Sequence, residues 1–311
     1  MGTEPKIAIL LSAYNGGRFL AEQLDSILNQ TYKNSLIVVR DDGSSDETVA
    51  LIQKYSEEYS DRFHFVVGEE KNRGASGSFS YLIEYVLANK EELGLNAAYM
   101  MFCDQDDIWF ANKVEVQVAA MLKQEQENQQ ELPVLIHSDL QVVSEQNATI
   151  AESFIEYQGL EIERNRFSNM LISNLVTGCT AFINENLAKK AVPVPDSAIM
   201  HDWWMALVAT AFGKLVYLDT PLVYYRQHDK NTIGAKEHVK PVYSRSQFVA
   251  KLLSRKASSH LQEVASQAKG FSMYYKQELK LRHKIFLNLA VRLKSDNAII
   301  QRIIFRLLRV G

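Results

Sequence analysis

Short apolar runs, each ending in a polar and often acidic loop and followed by helical spacing, constrain this chain more than any other feature. Residues 6–12 read Lys-Ile-Ala-Ile-Leu-Leu-Ser, turn at Asn15-Gly16-Gly17, and enter a helical pattern with Phe19, Leu20, Leu24, Ile27 and Leu28 on one side. The cycle recurs: 36–40 is β-rich, 41–46 is a polar loop, and 48–59 again carries helical spacing. Residues 63–67 and 98–103 give two more buried strands, with a helix near 78–89 between them. Strands apolar throughout, alternating with helices, predict an α/β fold with a mostly parallel central sheet flanked by helices. In such sheets ligands sit outside the carboxyl ends of the strands, so the loops after each strand are where chemistry belongs.

From about Pro133 the pattern loosens. Strands are expected near 134–137 and 180–183, a helix over 202–212, paired strands around 215–225, and helices throughout beyond Gly234. The 311 residues, 47% hydrophobic and 23% charged, are enough for one large core or two smaller domains and exclude a disordered chain. Cys103 and Cys179 stand apart with no CxxC pairing, which argues against a zinc site or redox dithiol and for reduced thiols. The N-terminus lacks the pattern of a signal peptide and no apolar run approaches 18 residues, so the expected location is cytoplasmic, with any membrane contact peripheral on the inner face of the cell membrane. Charge divides the chain: residues 1–235 hold 18 Lys and Arg against 33 Asp and Glu, whereas 236–311 hold 16 against 4. An acidic body with a basic tail fits nucleic acid, anionic lipid or mutual attraction, and net charge does not choose among them.

Asp104, Asp106 and Asp107 directly follow the apolar run Tyr99-Met-Met-Phe-Cys103. Carboxylates crowded at a strand end repel one another, and a divalent cation with a preference for hard oxygen ligands, Mg²⁺ or Mn²⁺, relieves that. The competing reading is a solvated acidic turn that caps the helix starting near Asn112. Asp41-Asp-Gly-Ser-Ser-Asp46 is locally a turn with Ser45 or Asp46 as helix cap. Functionally, its strand-end carboxylate can accept the N–H of a pyrimidine base, with Tyr14 stacked on the same ring or simply an aromatic at the rim of a core.

The chain resembles the family-2 inverting glycosyltransferases of GT-A fold, and among them the bacterial rhamnosyltransferases of polysaccharide assembly. The motifs that carry the resemblance are Leu11-Ser-Ala-Tyr-Asn-Gly16, Asp41-Asp-Gly-Ser-Ser-Asp-Glu-Thr48, Phe102-Cys-Asp-Gln-Asp-Asp-Ile-Trp109, His201-Asp-Trp-Trp204 and Tyr225-Arg-Gln-His228, in the family's order. The resemblance implies a GT-A domain over 1–235, with a nucleotide-sugar half to about 110 and an acceptor half from 111, followed by a basic helical region over 236–311. It implies that Ser12, Tyr14 and Asp42 contact the base, that Asn72 and Arg73 line the donor cleft, and that Asp104 lies near the ribose. Asp106 then holds Mg²⁺ or Mn²⁺ against the diphosphate, with His228 joining it and Asp107 as a neighbour.

Asp202 matches the family's general base, which takes the proton of the attacking acceptor hydroxyl. A carboxylate at the start of a helix is equally explained as a cap. Trp203 and Trp204 are expected to flank the acceptor sugar. The implied donor is dTDP-β-L-rhamnose, with UDP-hexoses and UDP-N-acetylhexosamines open because uracil and thymine present the same edge to Asp42. The implied acceptor is a saccharide or lipid-linked saccharide of a bacterial surface polysaccharide.

In the tail, Ile299, Ile300, Ile303, Ile304, Leu307 and Leu308 form a helical stripe with Arg302, Arg306 and Arg309 off it. That pattern suits an anionic membrane surface, a homodimer or packing on the catalytic domain. Nucleic acid is not the expected partner, although a nucleic-acid- or membrane-binding protein acting through this tail is the non-enzyme alternative. A metal-dependent nucleotidyl transferase also uses strand-end carboxylates but has no need of the His201-Asp202-Trp203-Trp204 motif.

Overall fold

A computed structural model describes residues 4–67, 72–128, 132–229, 235 and 258–311. Among these described residues nine strands form one sheet: β1 Ile7–Ala13, β2 Ser35–Asp41, β3 Phe63–Phe65, β4 Tyr99–Cys103, β5 Ile108–Trp109, β6 Val134–Val143, β7 Thr149–Ala151, β8 Phe182–Ile183 and β9 Lys214–Arg226. Their order is β3-β2-β1-β4-β8-β6-β9-β5, with β7 paired to β6. The half formed by β3, β2, β1 and β4 is parallel; β8 runs antiparallel to both β4 and β6, and β9 is parallel to β6.

Residues alternate between the two faces of β1, and each face is buried. Ala8 and Leu10 join a core with Phe79, Leu82 and Val86 of α3 (Gly74–Ala88) and the apolar residues of α8 (His201–Phe212). Ile7, Ile9 and Leu11 join the opposite core with Leu20, Leu24 and Ile27 of α1 (Gly17–Leu28) and with Val114 and Met121 of α4 (Lys113–Glu127). Burial on both sides is why these strands read as unbroken apolar runs. Helix α2 (Thr48–Glu58) covers the second face, while α5 (Phe154–Gln158), α6 (Phe167–Met170) and α7 (Glu185–Ala191) fill out the later half.

Two sequence expectations need correction. The paired strands expected at 215–225 are one continuous strand, β9. At Asp219-Thr220-Pro221 the strand bulges, and pairing with β6 jumps from Ser138–Leu218 to Asp139–Pro221. The strand expected at 180–183 is only Phe182–Ile183, because Gly178–Thr180 coils into a single 3-10 turn.

Part of the basic tail lies outside the described residues. The rest is helical as expected, in α9 (Ser259–Tyr274), α10 (Leu281–Val291) and α11 (Ala298–Val310). Phe271, Leu287 and Leu308 from these helices enter the same core cluster as α8 and the sheet.

Candidate functional site

Strand register builds the site. Ser12 lies level with Arg40, Ala13 with Asp41, and Leu11 with Cys103, so the residues that follow β1, β2 and β4 emerge side by side. They open into a cleft of about 370 Å³ that Ser12, Tyr14, Asp42, Asn72, Asp104, Asp106 and Asp202 all line. Four carboxylates from two strand ends and one helix start thus share a single space.

Asp42 is 2% exposed. Its Oδ1 accepts from Arg40 Nη1, a buried ion pair, and from the Arg73 backbone N–H at 2.8 Å. Arg40 also donates to Ser78 Oγ at 2.9 Å, and Ser12 Oγ donates to the same oxygen at 2.8 Å. Tyr14 is 50% exposed, and its backbone is pinned by both ends of the Gln105 amide, at 2.7 and 2.9 Å. A side chain at Gly16 would collide with that amide, its Cβ falling 2.3 Å from Gln105 Oε1. The loop after β2 departs from the sequence reading by one residue: Glu47, not Ser45 or Asp46, holds the N-cap position of α2, and Asp46 just before it accepts from the N–H groups of Thr48 at 3.0 Å and Gly17 at 3.1 Å. Arg73 contributes by its backbone, while its guanidinium stacks on Tyr81, 4.8 Å from the ring centre, and its side chain is not among those lining the cleft.

His228 Nε2 stands 2.8 Å from Asp106 Oδ2. Burial above all, and then the charges of Asp106 and Asp202, push the Asp104 carboxyl up to about 7. Carboxylates that repel one another in this way are what a hard divalent cation stabilises, so the donor set fits Mg²⁺ or Mn²⁺. Asp104, Asp107 and Cys179 also bring one ligand atom each within 4.8 Å of one another. Burial holds the Cys179 thiol protonated, and it hydrogen-bonds Asp107, so that trio is a structural tie and a poor fit for a hard cation.

Asp202, in the first turn of α8, is 8% exposed, and burial raises its carboxyl to about 7. Backbone N–H groups of Trp203 and Gly178 and the Asn174 amide, 3.3 Å away, oppose that rise. The residue at the helix N-cap position is Met200, so Asp202 is not itself the cap.

The two tryptophans correct the sequence reading. Trp204 is fully buried, its Nε1 donates to Ala191 O at 2.9 Å, and its ring packs against Phe271 and Tyr275. Trp203 is 5% exposed and donates to Met170 O at 2.6 Å. Neither lines the cleft, and with both faces packed neither offers a ring to an acceptor sugar.

Two residues were missed. His201 lines the cleft between Phe79, 4.4 Å away in a stacked arrangement, and Asp202; neither ring nitrogen has a hydrogen-bond partner among the described residues, and burial lowers its pKa to about 3. Arg226, 2% exposed, clamps the acidic turn: its Nε donates to Asp106 O at 3.0 Å and its backbone N–H to Asp107 Oδ1 at 3.2 Å. Both lie inside the motifs that carry the family resemblance, next to Asp202 and close to His228.

A sheet with this order, opening at its strand ends into an acidic cleft, defines the GT-A fold class. Residues 8–187 match the sequence model of Glycosyl transferase family 2, more than half of the chain, and the chain belongs to that family. The dTDP-rhamnosyl transferase RfbG of Shigella flexneri is 26% identical over 257 residues, which cover 79% of this chain and 81% of that one. Among solved structures, residues 1–349 of TarS from S. aureus in complex with UDP superimpose with a TM-score of 0.53 at 13% identity, over 98% of this chain and 92% of that one. The mannosyltransferase PcManGT from Pyrobaculum calidifontis, in complex with GDP-Man and Mn²⁺, gives 0.50 at 14% identity, over 99% and 87%. The chain spans between 41% and 66% of the length of the first three curated relatives it matches.

Proposed function

We propose that this glycosyltransferase moves L-rhamnose from dTDP-β-L-rhamnose onto a saccharide or lipid-linked saccharide acceptor, with inversion at the anomeric carbon. The observation that carries the reading is the convergence of Asp42, Asp104, Asp106 and Asp202 on one cleft. The rhamnosyl donor draws its support from the similarity to RfbG.

Asp42, oriented by Arg40 and the Arg73 N–H, accepts the ring N–H of thymine, and Tyr14 covers the base from the open side. Ser12 and Asn72 border the nucleoside, and Asp104 takes the ribose hydroxyls. Asp106 and His228 would hold a divalent cation, which would supply positive charge against the departing nucleoside diphosphate. Asp202 takes the acceptor proton. Its raised pKa suits that task, because a base poised near the working pH combines ionisation with proton affinity. Asn174 and the Gly178 N–H fix the carboxylate, so it enters the reaction without reorganising.

Asp42 reads uracil and thymine alike, and TarS is seen with UDP, which supports a UDP-hexose or UDP-N-acetylhexosamine as the second reading. Calorimetric titration with dTDP and UDP, with and without Mg²⁺ or Mn²⁺, tests the nucleotide. A panel of nucleotide sugars, with NMR assignment of the product anomer, tests the sugar. An α-linked rhamnoside from the β-donor is the expected product; transfer from UDP-sugars alone reassigns the donor, and failure to bind either nucleotide overturns the reading.

A further inference from the structure

Helix α11 has two apolar faces, and among the described residues only one of them is packed against the rest of the protein. Gln301, Ile304 and Leu308, spaced i, i+3, i+7, are buried against the protein. Ile299, Ile303, Leu307 and Val310, spaced i, i+4, i+8, i+11, occupy the far side and are 53% to 84% exposed. The single stripe seen in the sequence is therefore split: Ile304 and Leu308 face inward while Ile299, Ile300, Ile303 and Leu307 face solvent. Arg302, Arg306 and Arg309, spaced i, i+4, i+7, form a third row alongside the exposed one.

Helix α10, which meets the end of α11, carries exposed apolar side chains as well. Gly311 at the end of α11 lies against the Phe286 ring, and the neighbouring Ile285 and Leu281 are 52% and 76% exposed. Residues 280–310 carry eight Lys and Arg and one acidic residue, Asp296. All eight cations have access to solvent, Arg302 only in part.

We infer that the outward face of α11, extended by Leu281 and Ile285, docks on the surface of an anionic lipid bilayer. Aliphatic side chains that face away from the protein and are bordered by arginines match the boundary between acyl chains and anionic headgroups. Thirteen residues span only about 20 Å, and among the described residues no helix is long and apolar enough to cross a membrane. The helix therefore lies in the interface. A two-fold contact with a second copy would bring like-charged rims together, and a nucleic acid would call for cations where this face presents isoleucine and leucine.

The full-length protein is sedimented with phosphatidylcholine vesicles and with vesicles containing phosphatidylglycerol, at low and high salt. Binding is expected to the anionic vesicles, weakened by salt and by about fivefold for each cation removed, as in Arg306→Gln. The double variant Ile303→Ser with Leu307→Ser is expected to lose vesicle binding by tenfold or more while its melting temperature and nucleotide binding stay unchanged, since both side chains are exposed. Equal affinity for both vesicle types, or no binding to either, overturns the proposal. So does a concentration-dependent dimer in sedimentation velocity that the double variant abolishes.

Discussion

Asp202 is pulled in two directions. Burial drives it toward the neutral acid, whereas the proposed role as base requires it ionised; the result is a carboxyl near 7, flanked by three donors that favour the charge. Turnover is therefore expected to rise as pH increases through about 7. Replacement by Asn should cut turnover about 10² to 10⁴-fold while leaving dTDP affinity intact, checked by steady-state kinetics beside calorimetry. Stability carries the opposite sign. A carboxyl with a raised pKa contributes fully below its unfolded value near 4, and that contribution is lost as pH rises through 7, on the order of 4 kcal/mol in all. Asp202→Asn should therefore leave the melting temperature of the metal-free protein unchanged near pH 4 and raise it at pH 8. Loss of turnover with no gain in stability at pH 8 would mean that the carboxylate is held charged by its donors.

At the scale of elements, α8 serves two masters along its length. Its first turn brings His201 and Asp202 to the cleft, and the next residues, Trp203 and Trp204, anchor the helix in the core. Trp204 meets Phe271 and Tyr275 of the C-terminal helices, so it couples them to the domain that holds the site. Trp204→Ala should cost about 3 to 5 kcal/mol, typical for a buried aromatic, measured by denaturant unfolding. A loss under 1 kcal/mol would show that the neighbouring helices collapse into the space.

The strand ends were legible because β1, β2 and β4 are buried on both faces and their acidic loops follow at once. Trp203 and Trp204 were not legible. An aromatic beside a catalytic type of carboxylate has the same local sequence whether it faces ligand or core, and the residue that decides, Phe271, lies 67 positions away. Bulge and turn are likewise indistinguishable at Asp219-Thr220-Pro221 until β6 supplies a partner.

For the whole molecule, the division of charge does not coincide with a division of the core. The sequence changes sign of charge near residue 235, yet Val264, Ala268, Phe271, Leu287 and Leu308 are buried in one cluster with Trp204, Met205 and strand residues Leu10 and Met100. Hydrogen bonds run the same way: Asn169 of α6 donates to the carbonyls of Leu308 and Arg309 at 3.0 and 2.9 Å, and Tyr275 Oη donates to Lys190 O at 2.7 Å. The basic helices are thus one wall of the catalytic core on their inner side, whatever their outer side meets. A chain ending before residue 258 would leave the buried face of α8 in water, and apolar surface of that extent drives association. Such a truncation is expected to aggregate or to lose its cooperative thermal transition, whereas Ile303→Ser with Leu307→Ser in the full chain keeps it. A truncated protein that melts cooperatively as a monomer, at the temperature of the full chain, would establish that the helices are an appendage and that the core closes without them.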